Sequence, residues 1–224
     1  MPKTAIVTGS SCGIGAAAAR LFARKGYNVV VHGRNKQKLQ GVYDEIKEIG
    51  TGGVHMVEME LSNLSDIPRV IKETVEIFGG IDVLVNNAAL LAQGNIEQVT
   101  EIETDKLFAV NVKAPMFLIQ EALPFLKKAK GAIVNVSSVC SSYQTNNHLI
   151  YAMTKAALDH MSVTLAGNLA ADEVRVNTVN PAAVLTEIWQ KAHGLPEEAM
   201  AGFAEKVKEN QPMGILSPEE VAQV

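Results

Sequence analysis

The sequence predicts an α/β fold built on a doubly wound parallel sheet, and three observations predict it. Short, often β-branched apolar bursts recur at 4–8, 28–32, 54–59, 81–85, 132–136 and 174–179 without strict alternation, as expected of strands buried on both faces. Segments of helical period, such as 36–49 and 66–78, separate them. The first burst runs directly into a glycine-dense turn and then into the alanine-rich AAAARLFARKG, which marks a strand-to-helix junction.

With 224 residues and 47% hydrophobic content, the chain can bury one large core, and 1–224 is expected to form a single domain. A net charge of -4 lacks the basic excess that nucleic-acid binding demands, so DNA and RNA are not expected as partners. No apolar run approaches the roughly 20 residues that span a bilayer. The opening MPKTAIVTGS is too brief for a signal peptide and enters a strand at once. Cys12 and Cys140 lie in unrelated segments and suggest no disulfide framework, so a reducing, cytoplasmic setting is expected. His32, His55, His148, His160 and His193 are scattered without ligand spacing, and no metal is expected.

Near the end, Ser217, Pro218 and Glu220 occupy the N-cap, first and third positions of a helix start. The chain stops at Val224, under two turns later, so the expectation is a truncated C-terminus and a sheet without its last strand.

The turn after the first strand reads Thr8, Gly9, Ser10, Ser11, Cys12, Gly13, Ile14, Gly15. Gly9 and Gly13 can adopt angles closed to other residues, Gly15 lets the helix pack on the strand, and free N–H groups at the helix start can face a pyrophosphate. The second strand ends in Gly33, Arg34 and Asn35. A carboxylate there would bond the ribose hydroxyls of NAD, whereas the Arg34 guanidinium suits a 2′-phosphate, so NADP(H) is preferred and NAD(H) remains possible.

The spacing TGxxxGIG resembles that of the short-chain dehydrogenase/reductase family in its ordinary-length branch. The resemblance implies a Rossmann-type domain and a cofactor cradle at Gly9, Ser11, Gly13, Ile14 and Gly15. By the same match Glu60, where an Asp is usual, and Leu61 would hold the adenine. Asn87 and Ala88 belong to NNAA, similar to the family's NNAG, with Ala89 in place of its glycine. Pro181, Val184 and Thr186 fall in a segment similar to PGxxxT, with Ala182 where Gly is usual. There the Val184 backbone would hold the nicotinamide carboxamide, assisted by Thr186.

Tyr151 and Lys155 form YAMTK, and their spacing of four puts both side chains on one helix face. A nearby ammonium and a cationic oxidised nicotinamide would lower the phenol toward working pH and fit it for general acid/base work. The motif alone is not specific, because Tyr43 and Lys47 repeat it in YDEIK; with no strand-end hydroxyl near in sequence, Tyr43 is read as structural. Ser138 ends the fifth strand thirteen residues before Tyr151, at the carboxyl edge where open sheets bind ligands. Ser137 competes with it. Strand alternation separates the two hydroxyls, and the family's spacing selects Ser138.

Asn111 is the fourth catalytic candidate. Pro115 has no N–H, so the Asn111 carbonyl loses its helical partner and could hold a water, as the family's Asn does on the path to the catalytic lysine. A Pro kink that serves packing alone is the other reading.

The resemblance thus implies an NADP(H)-dependent oxidoreductase acting on a carbonyl or secondary alcohol, with Asn111, Ser138, Tyr151 and Lys155 catalytic. Segments 90–95, 139–148 and 187–216 would face substrate, the last a helical region whose Trp189, Met200, Phe203 and Met213 suit an apolar pocket wall or, as such residues at helical spacing more often do, a core or subunit interface. Long helices around 104–127 and 152–170 would pair with a neighbour in a homodimer or homotetramer. A catalytically silent relative that senses or binds cofactor is the alternative, but it need not keep Ser138, Tyr151 and Lys155 together. An α/β methyltransferase would want a carboxylate where Gly33 and Arg34 stand.

Overall fold

The computed structural model describes residues 2–50, 52–194, 196–209, 211 and 214–224. Their one sheet has six parallel strands in the order β3-β2-β1-β4-β5-β6. The strands are β1 (Thr4–Val7), β2 (Asn28–Gly33), β3 (Val54–Glu58), β4 (Val83–Asn86), β5 (Ala132–Val136) and β6 (Arg175–Val179). Each falls within a few residues of an apolar burst. The order reverses between β1 and β4, so the crevice at their carboxyl ends is the switch point at which such sheets bind ligands.

Alternation of side chains along the buried strands sorts the core into two layers. On one face Ile6, Val30, Leu84 and Ile133 pack with α3 (Ile67–Phe78), α5 (Ala114–Ala129) and α6 (Leu149–Asn168). On the other, Val7, Val29, Val31 and Val85 meet α1 (Gly13–Arg24) and α2 (Lys36–Ile49). Tyr43 is one of the side chains packed against that second layer, which gives it a structural place. The alanines of α1 let its axis approach the sheet closely: Ala16, Ala17 and Ala19 are all buried.

The remaining helices are α4 (Glu101–Phe108), α7 (Glu187–His193), α8 (Met200–Lys208) and α9 (Pro218–Ala222). Ser217 and Glu220 form the predicted capping box at the start of α9.

The long helix expected around 104–127 is disturbed at its middle, where α4 and α5 are joined by a π-helical turn, Ala109–Lys113. The Ala114 N–H reaches back five residues to the Ala109 carbonyl. Pro115 is the physical reason, since it cannot donate to Asn111 and the ladder widens just before it.

Candidate active site

The glycine turn leaves β1 through Thr8, and the end of β4 ties it down. The Thr8 hydroxyl accepts the N–H groups of Asn87 and Ala88 at 3.0 and 3.1 Å, and the Asn87 amide donates to the carbonyls of Thr8 and Gly9. Gly9 has φ +64°, and a Cβ there would stand 2.7 Å from the Ala88 Cα. A Cβ on Gly15 would fall 2.4 Å from the Asn87 Nδ2 and 2.5 Å from the Gly9 carbonyl oxygen. Real contacts are never so short, so both positions require glycine. Gly13 faces Thr186, the residue that opens α7.

Sequence reading passed over the residue beneath this turn. His32, on β2 and 2% exposed, accepts the Gly9 N–H on Nδ1 at 3.3 Å. Its own N–H donates to the Ser10 hydroxyl at 2.9 Å, and its carbonyl accepts the Ser10 N–H at 2.9 Å. Burial pushes the imidazole down to about 4, so it is neutral near pH 7. A single His after three valines carries no signal of this contact in the sequence.

One cleft of about 1620 Å³ runs from this turn to the ends of β5 and β6. Gly9, Ser11, Gly13, Ile14, Asn87 and Ala88 line its middle. Arg34, Asn35, Glu60 and Leu61 line one end; Ser138, Tyr151, Lys155, Pro181, Val184 and Thr186 line the other. Gly15 lies buried beneath the turn. The volume exceeds the upper range of ordinary small-molecule sites, which suits a dinucleotide together with a small substrate. The clash-limited glycines, with their close backbone approach, fit a pyrophosphate.

At the chemical end, the Ser138 hydroxyl lies beside the Tyr151 phenol, near enough to favour its ionised form. It also accepts the Cys140 N–H, at 3.2 Å, in the 3-10 turn Val139–Ser141. The Ser137 hydroxyl donates instead to the Lys155 carbonyl, which separates the two competing serines. The Lys155 ammonium donates to the Val136 carbonyl at 2.7 Å and lies 5.6 Å from the centre of the Tyr151 ring, within cation–π range. Burial lowers Lys155 to about 8, opposed by the Asp159 carboxylate one turn further along α6.

Burial raises the Tyr151 phenol above its ordinary value, and the neighbouring Ser138 hydroxyl works against that without overcoming it.

Asn111 sits behind the cleft. Its side chain accepts the Leu90 N–H at 2.8 Å and donates to the Leu90 carbonyl and the Thr154 hydroxyl, clamping the loop after β4 to α6. Asn180, another residue that sequence reading passed over, donates to the Asp159 carboxylate at 2.8 Å and to the Ser138 carbonyl at 3.2 Å.

Glu60, matched by resemblance to an adenine contact, is ion-paired with Arg34 at 2.9 Å. Burial works to raise the Glu60 carboxyl, and Arg34 more than reverses it, leaving it below the usual range.

Among the residues expected to face substrate, Trp189 lines the cleft on α7, donates to the Val184 carbonyl at 3.0 Å and meets His148 edge-on. Met213 and the side chains of Met200 and Phe203 lie outside the described residues. Among the described residues, no group of three potential metal ligands gathers.

A glycine-lined crevice at the switch point of a parallel sheet defines a dinucleotide-binding type of α/β protein. The sequence model of the family described as short chain dehydrogenase matches residues 3–194. The chain belongs to that family. It is 35% identical over 222 residues to an uncharacterised oxidoreductase of Thermotoga maritima, covering 97% of this chain and 86% of the relative. The 3-oxoacyl-[acyl-carrier-protein] reductase of the same organism is 34% identical over 224 residues, covering 99% and 88%. Among solved structures, L-sorbose reductase from Gluconobacter frateurii, complexed with NADPH and L-sorbose, superposes with a TM-score of 0.92. It is 30% identical, with 99% of this chain and 87% of that one covered. The chain is thus an oxidoreductase of the short-chain dehydrogenase family.

Proposed function

We propose that the protein transfers a hydride between NADP(H) and a carbonyl or secondary alcohol, with Tyr151 as general acid and base. The observation that carries this reading is that Ser138, Tyr151 and Lys155 line the same cleft as the glycine turn. The reduced nicotinamide, when bound, supplies the hydride that a carbonyl carbon accepts. Ser138 and Tyr151 hold the carbonyl oxygen, and Tyr151 gives up its proton to it. A phenol held above its ordinary value keeps that proton at neutral pH, which suits the acid role in reduction. Lys155 anchors the nicotinamide ribose, and the Asn111 carbonyl, which Pro115 cannot bond, holds a water on the proton path.

Arg34 supports NADP(H) over NAD(H), and so does the NADPH in the similar L-sorbose reductase. The adenine would lie by Glu60 and Leu61, and the nicotinamide by Pro181, Val184 and Thr186. The 187–216 region forms the substrate wall of a single domain. Two free cysteines, Cys12 and Cys140, suit a cytoplasmic setting. Exposed Ile102, Met116, Met153 and Val163 on α4, α5 and α6 support pairing with a second copy.

The test uses NADPH deuterated at C4 with a panel of ketones and aldehydes. Deuterium appearing at the carbinol carbon of a product supports the reading. Tight NADPH binding with no transfer to any member would point to a cofactor-binding protein instead.

A further inference from the structure

Two ion pairs line the adenosine end of the cleft. Arg34 holds Glu60, and Lys38, in the first turn of α2, holds Glu187, in the first turn of α7, at 2.5 Å. The second pair joins residues 149 positions apart. Lys38, Glu187, Arg34 and Cys12 all line this one cleft.

Arg34 and Lys38 belong to one rigid turn, because the Asn35 side chain caps α2 by accepting the Lys38 N–H at 3.0 Å. Cys12, at the N-cap of α1, lines the same cleft and brings no cation of its own.

We infer that Lys38 determines cofactor specificity, supplying beside Arg34 a second cation for the 2′-phosphate of NADP(H). The inference rests on the NADP(H) reading above. Lys38 is exposed and its pair with Glu187 is solvated, so the ammonium can exchange a carboxylate for the more highly charged phosphate at little cost. The Glu187 hydrogen bond keeps Lys38 protonated well beyond neutral pH. NADH, with no 2′-phosphate, gives Lys38 nothing to exchange for.

Trp189 is the one tryptophan in the sequence and lines the same cleft, so its fluorescence reports binding without turnover. Dissociation constants for NADPH and NADH are measured on the wild type, Lys38→Gln, Lys38→Arg and Glu187→Gln. Lys38→Gln should weaken NADPH binding about tenfold and leave NADH within about twofold, while Lys38→Arg retains the preference. Glu187→Gln, which keeps the ammonium, should retain NADPH affinity.

Equal loss of both cofactors in Lys38→Gln, or no change in either, overturns the inference. So does a loss of NADPH affinity in Glu187→Gln as large as that in Lys38→Gln, which would make the ion pair a fastening for α7. A wild type that prefers NADH overturns the NADP(H) reading itself. That failure shows before any substitution is made, and the failure of the Lys38 assignment alone shows only in the variants.

Discussion

The two ends of the cleft are built by different means. At the catalytic end Ser138, Lys155 and Asn111 are buried and held by short hydrogen bonds from strand ends and from α6. At the adenosine end Arg34 and Lys38 are about half exposed and each engages a carboxylate. Burial sets the proton affinities of the first end; solvated charge sets the selectivity of the second. Substitutions at the catalytic end should therefore cost large factors in turnover, and those at the adenosine end smaller factors in discrimination between cofactors.

The largest effect that separates the two ends is expected from Ser138→Ala. Removing one donor to the carbonyl oxygen should lower kcat about a thousandfold, while NADPH binding changes less than about twofold. Steady-state kinetics beside a binding titration would show the split, and equal losses in both would erase the distinction.

The middle of the cleft should respond to acid. His32 is at about 4 in the fold against 6.5 in its ordinary state, so the unfolded chain binds more protons between those values. Its contribution is intact above pH 6.5, falls as the pH drops toward 4, and amounts to roughly 3 kcal/mol on the way down. His32→Asn keeps an acceptor for the Gly9 N–H and does not titrate. Urea midpoints across this window should fall more steeply for the wild type than for the variant.

The smallest effect belongs to the exposed end. Arg34→Gln should weaken NADPH binding about tenfold, with NADH nearly unchanged, because one charge-assisted contact is lost from a solvated site. A comparable loss for both cofactors would mean that Arg34 holds the turn and does not read the phosphate.

What could be read from the sequence follows the range of the interactions. The strands, the glycine turn, the capping box at Ser217 and the Ser138–Tyr151–Lys155 spacing are local patterns, and each emerges close to where its residues predict. Pro115 marked the disturbance near Asn111, but the π turn depends on how neighbouring carbonyls find donors, which no single residue announces. The Arg34–Glu60 and Lys38–Glu187 pairs join separate strands and helices, and composition gives no hint of them. Spacing places a lysine near a tyrosine, but only the folded chain shows how deeply both are buried.

The central claim is that Tyr151 passes the proton while the rest of the cleft binds cofactor without it. Tyr151→Phe tests it most directly, with NADPH binding read from Trp189 and hydride transfer read from loss of the reduced nicotinamide, on a carbonyl the wild type turns over. The account predicts NADPH affinity within about twofold of the wild type and turnover lower by at least about a thousandfold. Turnover close to that of the wild type would contradict it.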